Sequence, residues 1–182
     1  FHPFRQTDRI MPIVTGRGCP YACNFCYRAS AYRIRPYDDI VDEMEYLLER
    51  YQLDGFYLVD DLLMLSQEKI TKFCEAVLAR GLKMRYNCNG RVNTVTPEII
   101  KLLKDSGCIS VFYGLESGNN EILRTMSKKT TTDQIYEAIR LTRESGIFAE
   151  YAFMFGQVGE NEQTLKDTVS MLKKISYGEF RS

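Results

Sequence analysis

Short β-rich runs alternate with stretches of helical periodicity, about five times along the chain and at a spacing of roughly thirty residues. A repeat of that length leaves room for a strand, a helix and two turns, and strands separated by helices pair in parallel, because a hairpin can join only an antiparallel pair. Right-handed crossovers then place the helices on the sheet's outer face. The strand runs are residues 10–15, 56–60, 83–89, 109–115 and 147–155. The first helix follows Pro36, with Asp38 and Asp39 at its positive end and Ile40, Met44, Leu47 and Leu48 on one face. Ser66 caps a second, whose stripe of Ile70, Phe73, Cys74, Val77 and Leu78 ends at Gly81. Thr96-Pro97-Glu98 opens a third, with Ile99, Ile100, Leu102 and Leu103 before Gly107. A short prelude over residues 120–126 leads to a fourth, capped at Thr132, with Ile135, Ala138, Ile139 and Thr142 facing inward. Leu165, Thr168, Val169 and Leu172 mark a fifth. The expected fold is α/β, a partial TIM-type (β/α) barrel of about five units with parallel strands and outer helices. A doubly wound sheet is the second candidate, but a cysteine loop stands where its glycine-rich nucleotide turn would follow the first strand. Pro12 assigns the first strand to a sheet edge.

Composition narrows the function. A chain of 182 residues suits one domain, with roughly 70% of its unfolded surface buried on folding. Twenty-four basic residues balance twenty-four acidic ones, so no long-range field draws polyanions, and small or uncharged substrates are expected over nucleic acid. The longest apolar stretches, residues 56–65 and 147–155, are interrupted by Asp60, Asp61 and Glu150 and fall well short of a membrane span. The single histidine, His2, excludes a Ser-His-Asp triad and an HExxH zinc site. Six cysteines in a chain of this length, with no signal peptide, suggest the reducing cytoplasm over a disulfide framework. The chain begins at Phe1 and enters its first strand almost at once, so residues 1–182 are expected to be a core domain cut from a longer protein.

In a barrel, chemistry sits at the C-terminal ends of the strands. Those ends carry the cysteine loop, Asp60-Asp61, Asn89-Gly90-Arg91, Glu116-Ser117 and residues 156–160. The loop holds Cys19, Cys23 and Cys26 within eight residues. Structural zinc draws four Cys or His ligands, and ferredoxin spacings need a fourth Cys. Three thiolates on a cubane leave one iron open to an exogenous chelate, a catalytic arrangement. Cys74 and Cys108 lie in apolar element patterns and are assigned to the core. Cys88, near a strand end, is assigned to packing over an auxiliary cluster.

Cys-x3-Cys-x2-Cys, with Phe25 before the third thiol, resembles the cluster loop of the radical S-adenosylmethionine (radical SAM) superfamily. RGCPYACNFC is similar to the loop of its cobalamin-dependent subgroup. GRGCPYACNFC, VDD, GLESGNNEIL, AIRLTRESGI and FMFGQVGE together resemble the anaerobic magnesium-protoporphyrin IX monomethyl ester cyclase group, over residues 9–174. The resemblance implies a [4Fe-4S] cluster on Cys19, Cys23 and Cys26 whose open iron chelates S-adenosylmethionine. Reductive cleavage of that molecule to a 5′-deoxyadenosyl radical would abstract hydrogen from an organic substrate, with a tetrapyrrole as the named example.

It also implies partners for the cofactor. Phe25 would pack near the adenine and Glu116 would bind the ribose hydroxyls, while Asn89 and Lys128 would meet the methionine portion. Asp60-Asp61 stands where the family has Gly-Gly-Glu, and Gly156 and Gly159 frame a turn that in relatives approaches the adenine. Asp60 and Asp61 are otherwise strand-end caps, and Arg91 is expected to bind a carboxylate of cofactor or substrate or to pair with a helix acid. Cobalamin would come from a domain before Phe1, and electrons from a reductant such as ferredoxin or flavodoxin. The alternatives are methyl or methylthio transfer, or a non-catalytic iron-sulfur module for electron transfer.

Overall fold

The structure, a computed structural model, describes residues 4–27 and 31–177; His2 lies outside them. Five strands form one parallel sheet in the order β1 (Ile10–Ile13), β4 (Gly55–Leu58), β5 (Arg85–Gly90), β6 (Cys108–Glu116) and β7 (Phe148–Phe153). A two-stranded antiparallel pair, β2 (Gly16–Arg17) and β3 (Arg33–Ile34), brackets the cysteine loop. The helices are α1 (Tyr37–Tyr51), α2 (Gln67–Ala79), α3 (Pro97–Asp105), α4 (Asn120–Thr125), α5 (Thr132–Glu144) and α6 (Glu162–Tyr177), with a 3-10 turn at Val92–Thr94. α1 packs on α2, α2 on α3 and α3 on α5, so these four helices form a single layer. The sheet is open from β1 to β7. This is the partial (β/α) barrel expected from the repeat, with Pro12 on the edge strand.

Alternation along the strands separates two faces. Phe56, Leu58, Tyr86, Cys88, Val111 and Tyr113 are buried toward the helices, whereas Tyr57, Phe112 and Phe148 are exposed on the opposite face. The two buried tyrosines keep their hydroxyls satisfied: Tyr86 Oη lies 2.7 Å from Ser106 Oγ and Tyr113 Oη 2.9 Å from Thr142 Oγ1. Cys74, Cys88 and Cys108 are all buried in this core. Burial pushes the Cys74 thiol up to about 11. A hydrogen bond with Cys108, together with burial, drives the Cys88 thiol upward as well. None of the three is accessible to solvent.

Several boundaries move for identifiable reasons. β1 ends at Ile13, two residues short of the expected strand, because the Thr15 N–H turns away to the Asp60 carboxylate. The α5 cap is Thr131 in place of Thr132: it forms a capping box with Gln134. In α6 the buried residues are Thr164, Thr168, Met171 and Ile175, whereas Leu165 and Val169 are 36% and 42% exposed. A polar contact sets that rotation. Thr168 Oγ1 accepts from Gly118 N at 3.0 Å, and a Cβ on Gly118 would stand 2.6 Å from the Thr168 Cα. The helix approaches too closely for a leucine face at that point.

Gly55 has the same significance within the sheet. A Cβ there would lie 2.0 Å from the Arg85 carbonyl oxygen on the neighbouring strand. Gly55→Ala is therefore expected to destabilise the fold by about 1–3 kcal/mol, measured by urea unfolding. An unchanged midpoint would mean that β4 and β5 separate freely.

Candidate cofactor site

The cysteine loop is fastened where it leaves β1. Asp60, just beyond β4, accepts from Thr15 N at 2.7 Å and Gly16 N at 3.1 Å, and its other oxygen accepts from the Thr15 hydroxyl. Burial holds the Asp60 pKa above the usual carboxylate value, and these hydrogen bonds offset only part of that rise. Asp61 accepts from Gly18 N at 2.7 Å, where Gly18 has a left-handed φ of 75°. Farther along, Asn24 donates from its backbone to Met126 O at 3.2 Å and from its side chain to Thr125 O at 2.8 Å. Tyr21 Oη donates to Leu65 O at 3.0 Å. Thus the end of β4, the segment after it and the end of α4 all hold the loop.

The loop covers a cavity of about 280 Å³ at the C-terminal ends of β5 and β6. Cys19, Cys23, Cys26 and Phe25 line it from the loop; Asp61, Asn89, Arg91 and Glu116 line it from the strand ends, and Lys128 from the segment between α4 and α5. Nine of the twelve residues singled out in the sequence meet there. Asp60, Gly156 and Gly159 are not among its walls. Asp60 is spent on the root of the loop, and its carbonyl accepts from Asn89 Nδ2 at 2.7 Å, which orients Asn89. Gly156 and Gly159, with φ of 81° and 86°, shape a separate turn in which Glu160 Oε2 accepts from Gly156 N at 2.5 Å and Gln157 N at 3.0 Å.

The charged wall is a buried pair. Lys128 Nζ stands 2.7 Å from Glu116 Oε1, with both side chains almost wholly removed from solvent. Glu116 has a left-handed φ of 66° and sits beside a register shift between β6 and β7, which re-aims its side chain into the cavity. Gly114 makes the space: a Cβ there would lie 2.3 Å from Glu116 Oε1 and 3.0 Å from Lys128 Nζ. Sequence reasoning missed Gly114, although a glycine inside the apolar run over residues 111–115 signals close approach. Lys128 Nζ also lies 5.7 Å from the Phe25 ring centroid. Among the described residues Arg91 faces no helix acid; its guanidinium lies 3.7 Å from the Tyr21 ring centroid, and its N–H groups point to Cys23, Asn93 and Lys128.

Among the described residues, no three His, Cys, Asp or Glu groups converge closely enough to hold one metal ion. Instead the three thiols spread around one cavity, with Cys23 buried and Cys26 exposed. Three thiolates are one short of the four Cys or His ligands of a structural zinc, and they match a multi-iron centre carrying one thiolate on each of three corners. The open side, with Glu116, Lys128, Asn89 and Asp61, can take a ligand that carries ammonium, carboxylate and hydroxyl groups.

The sequence profile of the Radical SAM superfamily matches residues 13–172. An anaerobic magnesium-protoporphyrin IX monomethyl ester cyclase from Cereibacter sphaeroides is 35% identical over 162 residues, covering 85% of this chain and 26% of the relative. A bacteriochlorophyllide d C-12(1)-methyltransferase from Chlorobaculum tepidum is 28% identical over 176 residues, covering 92% of this chain and 38% of the relative. The chain thus spans about a quarter to two fifths of the length of these relatives. Among solved structures, the radical SAM methyltransferase TsrM from Kitasatospora setae, with cobalamin and a [4Fe-4S] cluster bound, superposes with a TM-score of 0.83 at 23% identity, over 93% of this chain and 33% of that one. The superfamily's cofactors are a [4Fe-4S] cluster and S-adenosylmethionine, and the match over residues 13–172 establishes that this chain belongs to the radical SAM superfamily.

Proposed function

We propose that the chain is the catalytic core of a radical SAM enzyme in which Cys19, Cys23 and Cys26 hold the cluster and the Glu116–Lys128 wall receives S-adenosylmethionine. The observation that carries this reading is that all three thiols and the buried pair line one cavity. When bound, the reduced cluster supplies the electron that cleaves S-adenosylmethionine to the 5′-deoxyadenosyl radical. The chain's own residues bind and orient. Glu116 accepts from the ribose hydroxyls, and Lys128 donates to the methionine carboxylate. Asp61 accepts from the ammonium group, a charge-assisted contact, and Asn89, held by Asp60, contributes a further polar group. Phe25 covers the adenine.

The reading extends to a small organic substrate of tetrapyrrole type, transformed by oxidative cyclisation. Both quoted curated relatives act, by name, on such molecules. Phe112 belongs both to the cavity wall and to the sheet's open face, where Tyr57 and Phe148 are also exposed. The Phe112 ring on the cavity wall offers a surface on which a flat ring can stack. The Chlorobaculum relative favours a second reading, methyl transfer to the same class of substrate. Cobalamin would then be supplied by a domain outside this chain, and a ferredoxin or flavodoxin would act as the reductant. Among the described residues no helix is long and apolar enough to cross a membrane.

Reconstituted anaerobically, the full chain should bind about four irons and, with dithionite, convert S-adenosylmethionine to 5′-deoxyadenosine. Cys19→Ala, Cys23→Ala and Cys26→Ala should each abolish conversion, whereas Cys74→Ala should lower stability alone. An intact cluster with no cleavage would favour the electron-transfer module. Glu116→Gln should weaken S-adenosylmethionine binding by about 1–3 kcal/mol in equilibrium dialysis. Given a tetrapyrrole and S-adenosylmethionine carrying a deuterated methyl group, cyclisation should leave the product unlabelled; label in the product would establish methyl transfer.

A further inference from the structure

Arg91 is a buried cation that meets no carboxylate among the described residues. Its Nε donates to Asn93 Oδ1 at 3.3 Å, one terminal nitrogen donates to the Lys128 carbonyl, and the other lies 3.8 Å from Cys23 Sγ. The Tyr21 ring covers one face. Burying a guanidinium on neutral acceptors is costly unless a negative charge lies nearby. The sulfur of Cys23 is the group in reach that carries such a charge once it is a metal-bound thiolate. The remaining contacts are also specific in place: Tyr21 lies two residues before Cys23, and Lys128 supplies its side chain to Glu116. One guanidinium therefore bridges the cysteine loop and the charged wall opposite.

From this geometry we propose that Arg91 is a positioning residue that donates a hydrogen bond to the Cys23 thiolate, raising the reduction potential of the cluster and fixing Cys23 against the Lys128 segment. The inference rests on the reading of Cys23 as a cluster ligand. Hydrogen bonds and positive charge at a ligating sulfur stabilise the reduced, more negative form of an iron-sulfur centre. Arginine is suited to the position by its planar fork, which serves Asn93, Lys128 and Cys23 at once while stacking on Tyr21. A lysine would keep the charge but serve fewer of these acceptors. The role differs from the carboxylate-binding one expected from sequence, because the guanidinium is already occupied on several sides.

The test uses the full chain, reconstituted anaerobically. Redox titration followed by electron paramagnetic resonance should show a lower midpoint potential in Arg91→Gln than in the wild type, with Arg91→Lys recovering part of the difference. Equal potentials in all three proteins, with only the thermal midpoint lowered in the variants, would overturn the inference and leave Arg91 a packing residue. Should Arg91→Gln fail to fold or to take up iron, the wild type still decides. With ¹⁵N-labelled arginine, the reduced cluster should show a ¹⁵N hyperfine coupling that is replaced by a ¹⁴N coupling in unlabelled protein and is lost in labelled Arg91→Lys; no ¹⁵N coupling would overturn the assignment. A wild-type chain that takes up no four-iron cluster fails at the reading beneath, and a cluster that forms and cleaves S-adenosylmethionine without the nitrogen coupling fails at Arg91 alone.

Discussion

Every strand of the main sheet runs in the same direction, so all five C-terminal ends open on one edge, and whatever the loops there carry is brought together by topology. Residues separated by more than ninety positions, from Cys19 to Glu116, become walls of one cavity without any loop having to reach far. The helix layer supports this arrangement from the other face. Tyr86 and Tyr113 fill the core between sheet and helices and find hydroxyl partners in Ser106 and Thr142, so the large side chains nearest the site add no unsatisfied polar group. The parallel sheet thereby fixes where the chemistry can be, and the strand-end loops decide what it is.

Within that frame, consecutive carboxylates do different work. Asp60 is buried and turned back on Thr15 and Gly16, so it anchors the root of the cysteine loop and orients Asn89 through its carbonyl. Asp61 lines the cavity and holds Gly18. Because successive residues leaving a strand point in opposite directions, one of two adjacent acids is drawn into the structure while the other faces the cavity. The sequence pair was legible as a strand-end feature. Which acid took which task depended on the partner loop, and nothing local to residues 60 and 61 specifies it.

The same division runs through the rest of the reading. The alternation of strands and helices was legible because hydrophobic periodicity is local, and the inward residues of α5, Ile135, Ala138, Ile139 and Thr142, are buried as their spacing requires. The cysteine loop was legible because three thiols and an aromatic fall within one short segment. The face of α6 was not, since its rotation is set by Thr168 meeting the Gly118 backbone, a tertiary contact that overrides the leucine and valine stripe. Gly156 and Gly159 were read as part of the pocket, yet their turn closes on Glu160, whose carboxylate supplies the acceptors that the turn's N–H groups need. The bulge at Glu116 was equally hidden, because it arises from how β7 registers against β6.

That bulge shows how the cavity's charge is kept usable. A carboxylate and an ammonium group buried together are stable only while each has the other, and removing one partner leaves an exposed cost on the one that remains. Glu116 and Lys128 therefore satisfy each other in the absence of any ligand, and a molecule bringing both hydroxyl donors and a carboxylate can satisfy both when it enters. Gly114 is what makes the exchange sterically possible, because any side chain at that position would occupy the space into which Glu116 and Lys128 reach. Arg91 then joins this wall to the sulfur side through the Lys128 carbonyl and Cys23, so the two halves of the site are mechanically one. Displacement of the Lys128 segment on one side would be felt at the thiol on the other, along a path of named contacts and over a distance of a few side chains.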